Sequence, residues 1–215
     1  MNPRLPLDPR VWPGVVLTLI LLFLGFWWDI PLSVPLLSVF LVAHLLFFRD
    51  PCRKTPLGQG LLSPADGKVV SVDEVLEKEF LNEPAVRVRI FLSVFDVHVT
   101  RAPLAGVVRS QRYVKGKFLN ALRRSAFKKN ESNWICIENH ERRVLVRQLS
   151  GAIARRIYSD VKIGQVVGRG EKLGMICYGS GVEFYVAKRS FRVTVRPGQR
   201  VKAGLSFLGQ WIDEG

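Results

Sequence analysis

Cysteine is scarce in this chain: three in 215 residues, at Cys52, Cys136 and Cys177, an odd count with no C-x-x-C pair. That excludes a disulfide framework, leaves no metal-ligand spacing, and fits a reducing compartment. Cys177 reads as a small buried strand residue. Histidine is equally rare, at His44, His98 and His140, so imidazole chemistry has few candidates. Acidic residues are outnumbered, 18 against 32 Lys and Arg, for a net charge of +14. Such an excess points to an anionic partner, either nucleic acid or an acidic membrane surface. From Arg101 to Asn130 there are nine Lys or Arg and no Asp or Glu. Few aromatics interleave them (Tyr113, Phe118, Phe127), and no nucleic-acid-binding motif is present. We therefore expect no nucleic acid. Beside a bilayer each basic side chain contributes about 1 kcal/mol against acidic headgroups, a solvated basic face being the plainer alternative.

Charge is missing altogether from two stretches, Val11 to Trp28 and Ile30 to Phe48, with Asp29 alone between them. As helices each would reach roughly 27 Å, close to the hydrocarbon thickness of a bilayer. Trp27 and Trp28 fit an interfacial belt at the turn. Arg4 and Arg10 precede the pair, and Arg49, Arg53 and Lys54 follow it, which places both ends on the cytoplasmic side. A second apolar run and the absence of a small-residue cleavage site argue against a signal peptide. A hairpin buried in a soluble domain is the alternative, and Pro31 and Pro35 leave open a shallow hairpin entering one leaflet. The expected organisation is a membrane-associated helical hairpin at 1–50, a Pro/Gly-containing linker at 51–60 and one domain at 61–215. The chain is expected at the cell membrane, attached through residues 11–48 and facing the cytoplasm.

The main domain reads as mainly β (α+β). Val- and Ile-rich alternating runs at Lys68–Val72, Val86–Val94, Gly106–Arg112, Trp134–Glu138 and Val144–Leu149 are bounded by Gly, Pro, Asn or Asp, as in strands. Tyr113 to Lys129 is expected to be irregular or helical. From Val161 to Phe207 glycines recur at Gly164, Gly168, Gly170, Gly174 and Gly198, a cadence of tight turns in a β-sandwich or barrel-sandwich. It resembles biotinyl and lipoyl carrier domains, yet no lysine occupies the hairpin tip that a carrier needs.

Near the C-terminus the segment Met175-Ile176-Cys177-Tyr178-Gly179-Ser180-Gly181-Val182 interrupts a buried strand with a Gly-Ser-Gly kink. Glycine on both sides frees the backbone, so the Ser180 hydroxyl can be brought against the Gly179 carbonyl. A bulge or a hairpin turn is the plain reading. Two further segments add to it. Leu62-Ser63-Pro64-Ala65-Asp66-Gly67 puts a carboxylate in a turn before a strand, an ordinary turn signal by itself. Leu92-Ser93-Val94-Phe95-Asp96-Val97-His98-Val99-Thr100-Arg101-Ala102-Pro103 puts one histidine in an apolar strand, while His44 lies in the membrane run and His140 in a polar turn. Alone, His98 would read as structural. Together Asp66, His98 and Ser180 can act as orienter, base and nucleophile.

These segments, with Gly116-Lys117-Phe118-Leu119-Asn120-Ala121, Asn130-Glu131 and Gln148-Leu149-Ser150-Gly151-Ala152-Ile153-Ala154-Arg155-Arg156-Ile157 in order, resemble the phosphatidylserine decarboxylases, in their short bacterial form. The likeness runs from about Leu61 to the C-terminus. It implies a proenzyme that cuts itself between Gly179 and Ser180 into a large chain (1–179) and a small chain (180–215), held together as strands of one domain. It also implies a covalent pyruvoyl cofactor made from Ser180, able to form a Schiff base with phosphatidylserine in the anionic membrane and to yield phosphatidylethanolamine. A higher oligomer is left open. Longer relatives carry a second histidine where this chain has Arg101. A non-cleaving, lipid-binding relative of the same fold is the alternative.

Overall fold

Alternating β-branched residues build most of this molecule, as their fit to a pleated, half-buried surface requires. The computed structural model describes residues 6–117, 129–140, 142–151, 156–177 and 180–212, with the backbone alone at position 180. The chain divides into two compact units, Met1–Cys52 and Arg53–Gly215.

The first unit is a helical hairpin. A one-turn 3-10 helix at Pro9–Val11 runs into α1 (Trp12–Trp27), and α2 (Ser33–Phe47) packs against it. Pro9 to Trp27 is long and apolar enough to cross a membrane. α2 is shorter than its apolar run, because Pro31 and a left-handed Leu32 (φ 61°) delay its start. The two helices approach closely at Gly14, where an added Cβ would lie 2.4 Å from the His44 ring. His44 Nε2 in turn sits 3.1 Å from the Val11 carbonyl oxygen. His44 therefore serves the hairpin.

The named strands of the second unit pair antiparallel throughout, with a one-turn 3-10 helix at Lys188–Ser190. In chain order they are β1 (Leu61–Leu62), β2 (Gly67–Glu77), β3 (Glu83–Leu92), β4 (Val99–Arg101), β5 (Gly106–Val114), β6 (Ser132–Asn139) and β7 (Arg142–Leu149). There follow β8 (Arg156–Ser159), β9 (Val166–Val167), β10 (Lys172–Cys177), β11 (Ser180–Ala187), β12 (Phe191–Val193), β13 (Arg200–Val201) and β14 (Phe207–Trp211). The long sheet has the order β13-β2-β3-β11-β7-β6-β5-β9, and two short sheets run β1-β14-β12 and β4-β10-β8. The mainly β expectation holds, and each strand expected from alternation falls within β2, β3, β5, β6 or β7, save that the second run outlasts β3 by two residues. Strand β5 continues to Val114, into the segment expected to be irregular; most of that segment, 118–128, lies outside the described residues.

The inward residues of all three sheets form one apolar core: Val86, Val88 and Ile90 of β3, Val182, Phe184 and Val186 of β11, Leu173 and Ile176 of β10, and Leu208 of β14. Each such fully buried side chain contributes about 1.5–3 kcal/mol. The other face of the long sheet carries an ionic cluster. Glu183, 1% exposed, accepts from Arg89 Nε (2.7 Å), Arg147 Nη1 (3.0 Å) and the Tyr185 hydroxyl (2.7 Å). Arg147 also stacks over Trp134, 4.3 Å from the ring centroid. Burial and the Glu183 charge push the Tyr185 phenol well above its ordinary range.

The segment read as a linker belongs, from Arg53 on, to the second unit. The Arg169 guanidinium donates to the Gly58 carbonyl, and an added Cβ at Gly170 would strike Thr55. Part of the basic stretch is neutralised locally, Arg109 by Glu138 and Arg112 by Glu79.

Candidate active site

Two backbone pairings frame the Gly179–Ser180 bond. Position 180 opens β11 opposite Leu92, the last residue of β3. On the other side, the Ile176 N–H near the end of β10 donates to the His98 carbonyl at 3.1 Å. Tyr178 and Gly179 themselves lie outside the described residues. The chain thus leaves β10 beside His98 and re-enters the sheet beside Leu92, six residues before that histidine.

Between Leu92 and His98 the chain makes a tight turn. Asp96 Oδ2 accepts from both the N–H (2.9 Å) and the hydroxyl (2.7 Å) of Ser93, and the Asp96 N–H donates back to the Ser93 carbonyl at 3.0 Å. Arg200 Nη1 reaches Asp96 Oδ1 at 3.0 Å. Burial raises the Asp96 carboxyl, but the Ser93 hydrogen bonds and the Arg200 charge outweigh it and hold the group below the ordinary carboxylate range.

The turn delivers His98 into the interior, where it is fully buried. Its Nδ1 lies 2.9 Å from the Asp96 carbonyl oxygen. A carbonyl only accepts, so Nδ1 carries the proton, and in the neutral ring the basic lone pair is on Nε2.

Two residues on, the fully buried Thr100 donates to the Gly174 carbonyl (3.3 Å) and accepts from Gln148 Nε2 (2.6 Å). Gln148 Oε1 in turn accepts from Asn133 Nδ2 at 2.8 Å. This polar chain ties β4, β10, β7 and β6 together beside the histidine. Asn130, from the Asn130-Glu131 pair, donates to the Ser150 carbonyl at 2.8 Å.

Asp66 is placed differently from expectation. Both of its oxygens meet Arg53, Oδ1 at 2.5 Å and Oδ2 at 2.8 Å, and Oδ1 also accepts from the Ala203 N–H at 2.8 Å. The imidazole Nδ1 is met by the Asp96 backbone instead. The turn that carries Asp66 is joined to β4, which follows His98, by the Pro64 carbonyl, which accepts from the Arg101 N–H at 2.9 Å. The turn needs its glycine. Gly67 has φ +147°, and a Cβ there would stand 2.1 Å from the Phe91 carbonyl oxygen. Arg101, at the second-histidine position of longer relatives, donates from Nη1 to the Gly170 carbonyl at 3.2 Å.

Asp96, Thr100 and Gln148 lie within the motif segments but carry no role legible from sequence, Arg53 reads there only as a basic flank of the apolar runs, and Asn133 gives no signal of its own. The available signal was polarity inside apolar strands, since a buried polar group needs a partner. The remaining histidine, His140, stands in the β6–β7 turn with φ 53°. Cys177 is buried in β10, as expected.

Comparison with known proteins gives the family. The family model described as "Phosphatidylserine decarboxylase" matches residues 40–209. The chain is similar to a "Phosphatidylserine decarboxylase proenzyme" of Carboxydothermus hydrogenoformans, 46% identical over 196 residues, covering 91% of this chain and 90% of the relative. Relatives bearing the same name occur in Syntrophus aciditrophicus, 44% identical with 76% and 77% covered, and in Symbiobacterium thermophilum, 40% identical with 93% of each chain covered. With the family model covering most of its length, this chain belongs to the phosphatidylserine decarboxylase family of carboxy-lyases.

Proposed function

We propose that this chain is a self-processing decarboxylase that converts phosphatidylserine to phosphatidylethanolamine, cutting itself between Gly179 and Ser180. The observation that carries the reading is the framing of that bond by Leu92 and His98, a buried imidazole whose tautomer leaves Nε2 basic. His98 takes the proton of the Ser180 hydroxyl, and the oxygen attacks the Gly179 carbonyl carbon. The peptide C–N bond breaks as the C–O bond forms, giving an ester and a free amine at position 180. Loss of the Cα proton then expels the Gly179 carboxylate, leaving dehydroalanine, which water hydrolyses to a ketone with release of ammonia.

The donor set fits this product. The new terminus stays paired with Leu92 at the start of β11, next to a buried histidine and the Thr100–Gln148 hydrogen bond. The pyruvoyl group supplies the electron sink that loss of carbon dioxide from an α-amino acid requires. The protein's part is to hold the bond-breaking centre among fixed dipoles and exclude water. Asp66 acts as a positioning residue, holding its turn through Arg53 and the Ala203 N–H.

The two product chains remain together as a heterodimer. β11 lies between β3 and β7, β13 pairs with β2, and β14 pairs with β1, so the small chain is laddered into the large one. Glu183 adds its contacts to Arg89 and Arg147 across the same divide. The apolar helices at the N-terminus attach the enzyme to the cytoplasmic side of the cell membrane, where its lipid substrate resides.

Intact-mass measurement of purified protein tests the proposal. It should show two chains dividing after Gly179, the smaller with a blocked N-terminus, and Ser180→Ala should leave one chain. A wild-type protein that stays a single chain would instead mark a lipid-binding relative without enzyme activity.

A further inference from the structure

The Asn130-Glu131 pair, prominent in the sequence, has no part in the reaction steps above, yet it grips the strand beside the Gly179–Ser180 bond. β7 lies between β6 and β11, and its last residue, Leu149, is the register partner of Ser132 on one side and of Gly181 on the other. Ser150, one residue further, is therefore in line with Glu131 across from β6 and with position 180 across from β11. Both main-chain groups of Ser150 are taken up on the β6 side. Its N–H donates to the Glu131 carbonyl at 2.9 Å, and its carbonyl accepts from Asn130 Nδ2 at 2.8 Å. Ser150 and Asn130 are both buried.

The pair is itself held from the other side. The Lys117 N–H donates to the Lys129 carbonyl at 2.7 Å, and the Glu131 N–H donates to the Lys117 carbonyl at 3.1 Å. Gly116 lies flush against them: a Cβ there would stand 2.5 Å from the Asn130 carbonyl carbon and from the Glu131 nitrogen, an approach that only glycine permits. The Glu131 carboxylate, 9% exposed, accepts from the Tyr113 hydroxyl. Burial and this bond push the Tyr113 phenol up to about 12, so it stays a donor across the neutral range.

We propose that Asn130-Glu131 is a clasp that positions the β7 flank of the Gly179–Ser180 bond for self-cleavage. This rests on the self-cleaving reading given above. Asn130 and Glu131 are positioning residues, acting through Ser150 rather than on the reacting atoms. On the β3 flank, position 180 is met by Leu92, and the turn that follows is tied by Ser93 and Asp96. On the β7 flank, the described pairing with β11 ends at Leu149 and Gly181, so the clasp is what fixes the next residue, Ser150. Such placement matters because a 1 Å displacement of reacting groups costs about a hundredfold in rate.

The test follows self-cleavage of full-length chains made by cell-free synthesis with phosphatidylcholine vesicles, read by gel as the fraction divided after Gly179. Asn130→Asp keeps the shape of the side chain but sets a carboxylate, in place of a donor, against the Ser150 carbonyl. At about pH 8 it should cleave about tenfold slower than wild type, the scale of one lost hydrogen bond. At about pH 5 the carboxyl, raised by burial above its ordinary value of about 3.9, takes up a proton and donates again, so the ratio to wild type should recover severalfold. Val186→Ala, which trims the core near the other end of β11, separates positioning from stability. Its denaturation midpoint, measured in the Ser180→Ala background, should fall at least as far as that of Asn130→Asp, yet it should cleave within about twofold of wild type. Wild-type cleavage by Asn130→Asp, a ratio that does not change with pH, or equal slowing by Val186→Ala overturns the clasp. If Asn130→Asp does not fold at about pH 8, it is compared with Asn130→Ala at about pH 5, where the protonated acid should cleave faster and equal rates overturn the clasp. A wild-type chain that never divides overturns the self-cleaving reading itself, a result distinct from failure of the clasp.

Discussion

Gln148 donates from Nε2 to Thr100 Oγ1 across 2.6 Å, joining β7 of the long sheet to β4 of a short one next to His98. Both residues are fully buried. Replacing Gln148 by Leu removes the donor to Thr100, whose hydroxyl keeps its bond to Gly174, and takes the acceptor from the buried Asn133 amide, at a cost of about 1–3 kcal/mol for a buried group left unmatched. We expect Gln148→Leu to lower the denaturation midpoint and slow self-cleavage. A variant that matures at the wild-type rate would remove this hydrogen bond from the framework of the site.

In the proposed reaction His98 is the base, so His98→Gln should block processing while preserving most of the fold. The measurement is the fraction of single-chain protein by gel or mass. Full maturation of His98→Gln would assign proton transfer to another group.

Asp96 gives a pH dependence with a definite sign. Its carboxyl sits below its ordinary value in the folded protein. The resulting stabilisation is present above the unfolded carboxylate pKa of about 3.9 and is lost as pH falls through the folded value. Asp96→Asn should therefore destabilise the protein at neutral pH, and the gap from wild type should close in acid. A gap independent of pH would sink the argument.

Glu183 neutralises a buried group of guanidiniums. Glu183→Gln removes one partner of a buried ionic network, which costs about 3–5 kcal/mol. The variant's large and small chains should separate at a lower denaturant concentration than those of the wild type. Coincident separation curves would show that the strand ladder alone holds them.

Asp66→Asn separates two roles. If Asp66 positions the turn through Arg53 and Ala203, as its contacts indicate, the variant loses stability and maturation together. Arg53→Leu should then reproduce most of the effect. A variant of normal stability but slow maturation would instead place the carboxylate in direct service of the imidazole.

The strands were legible because β-branched alternation is a local property, visible in Val86–Val94 or Val144–Leu149 without knowing the partners. The helical hairpin was legible for a similar reason, except at the start of α2, where Leu32 adopts a left-handed conformation that propensity does not announce. The partners of Asp66 were not legible. Arg53 lies 13 residues away in a segment that reads as linker, and Ala203 lies 137 away. Gln148 and Asn133 were hidden in the same way, since a polar residue in a strand says that it needs a partner but not which one.

The sequence by itself determined where the strands and apolar helices lie, and it singled out Ser180 and His98 for attention. Composition and local periodicity suffice for that, because each depends only on neighbours along the chain. Only the tertiary structure decided that the main-chain carbonyl of Asp96 meets imidazole Nδ1, and that the Asp66 carboxylate is held by Arg53 and the Ala203 N–H. Those outcomes depend on strand register and burial, which are settled when distant segments pair and water is excluded.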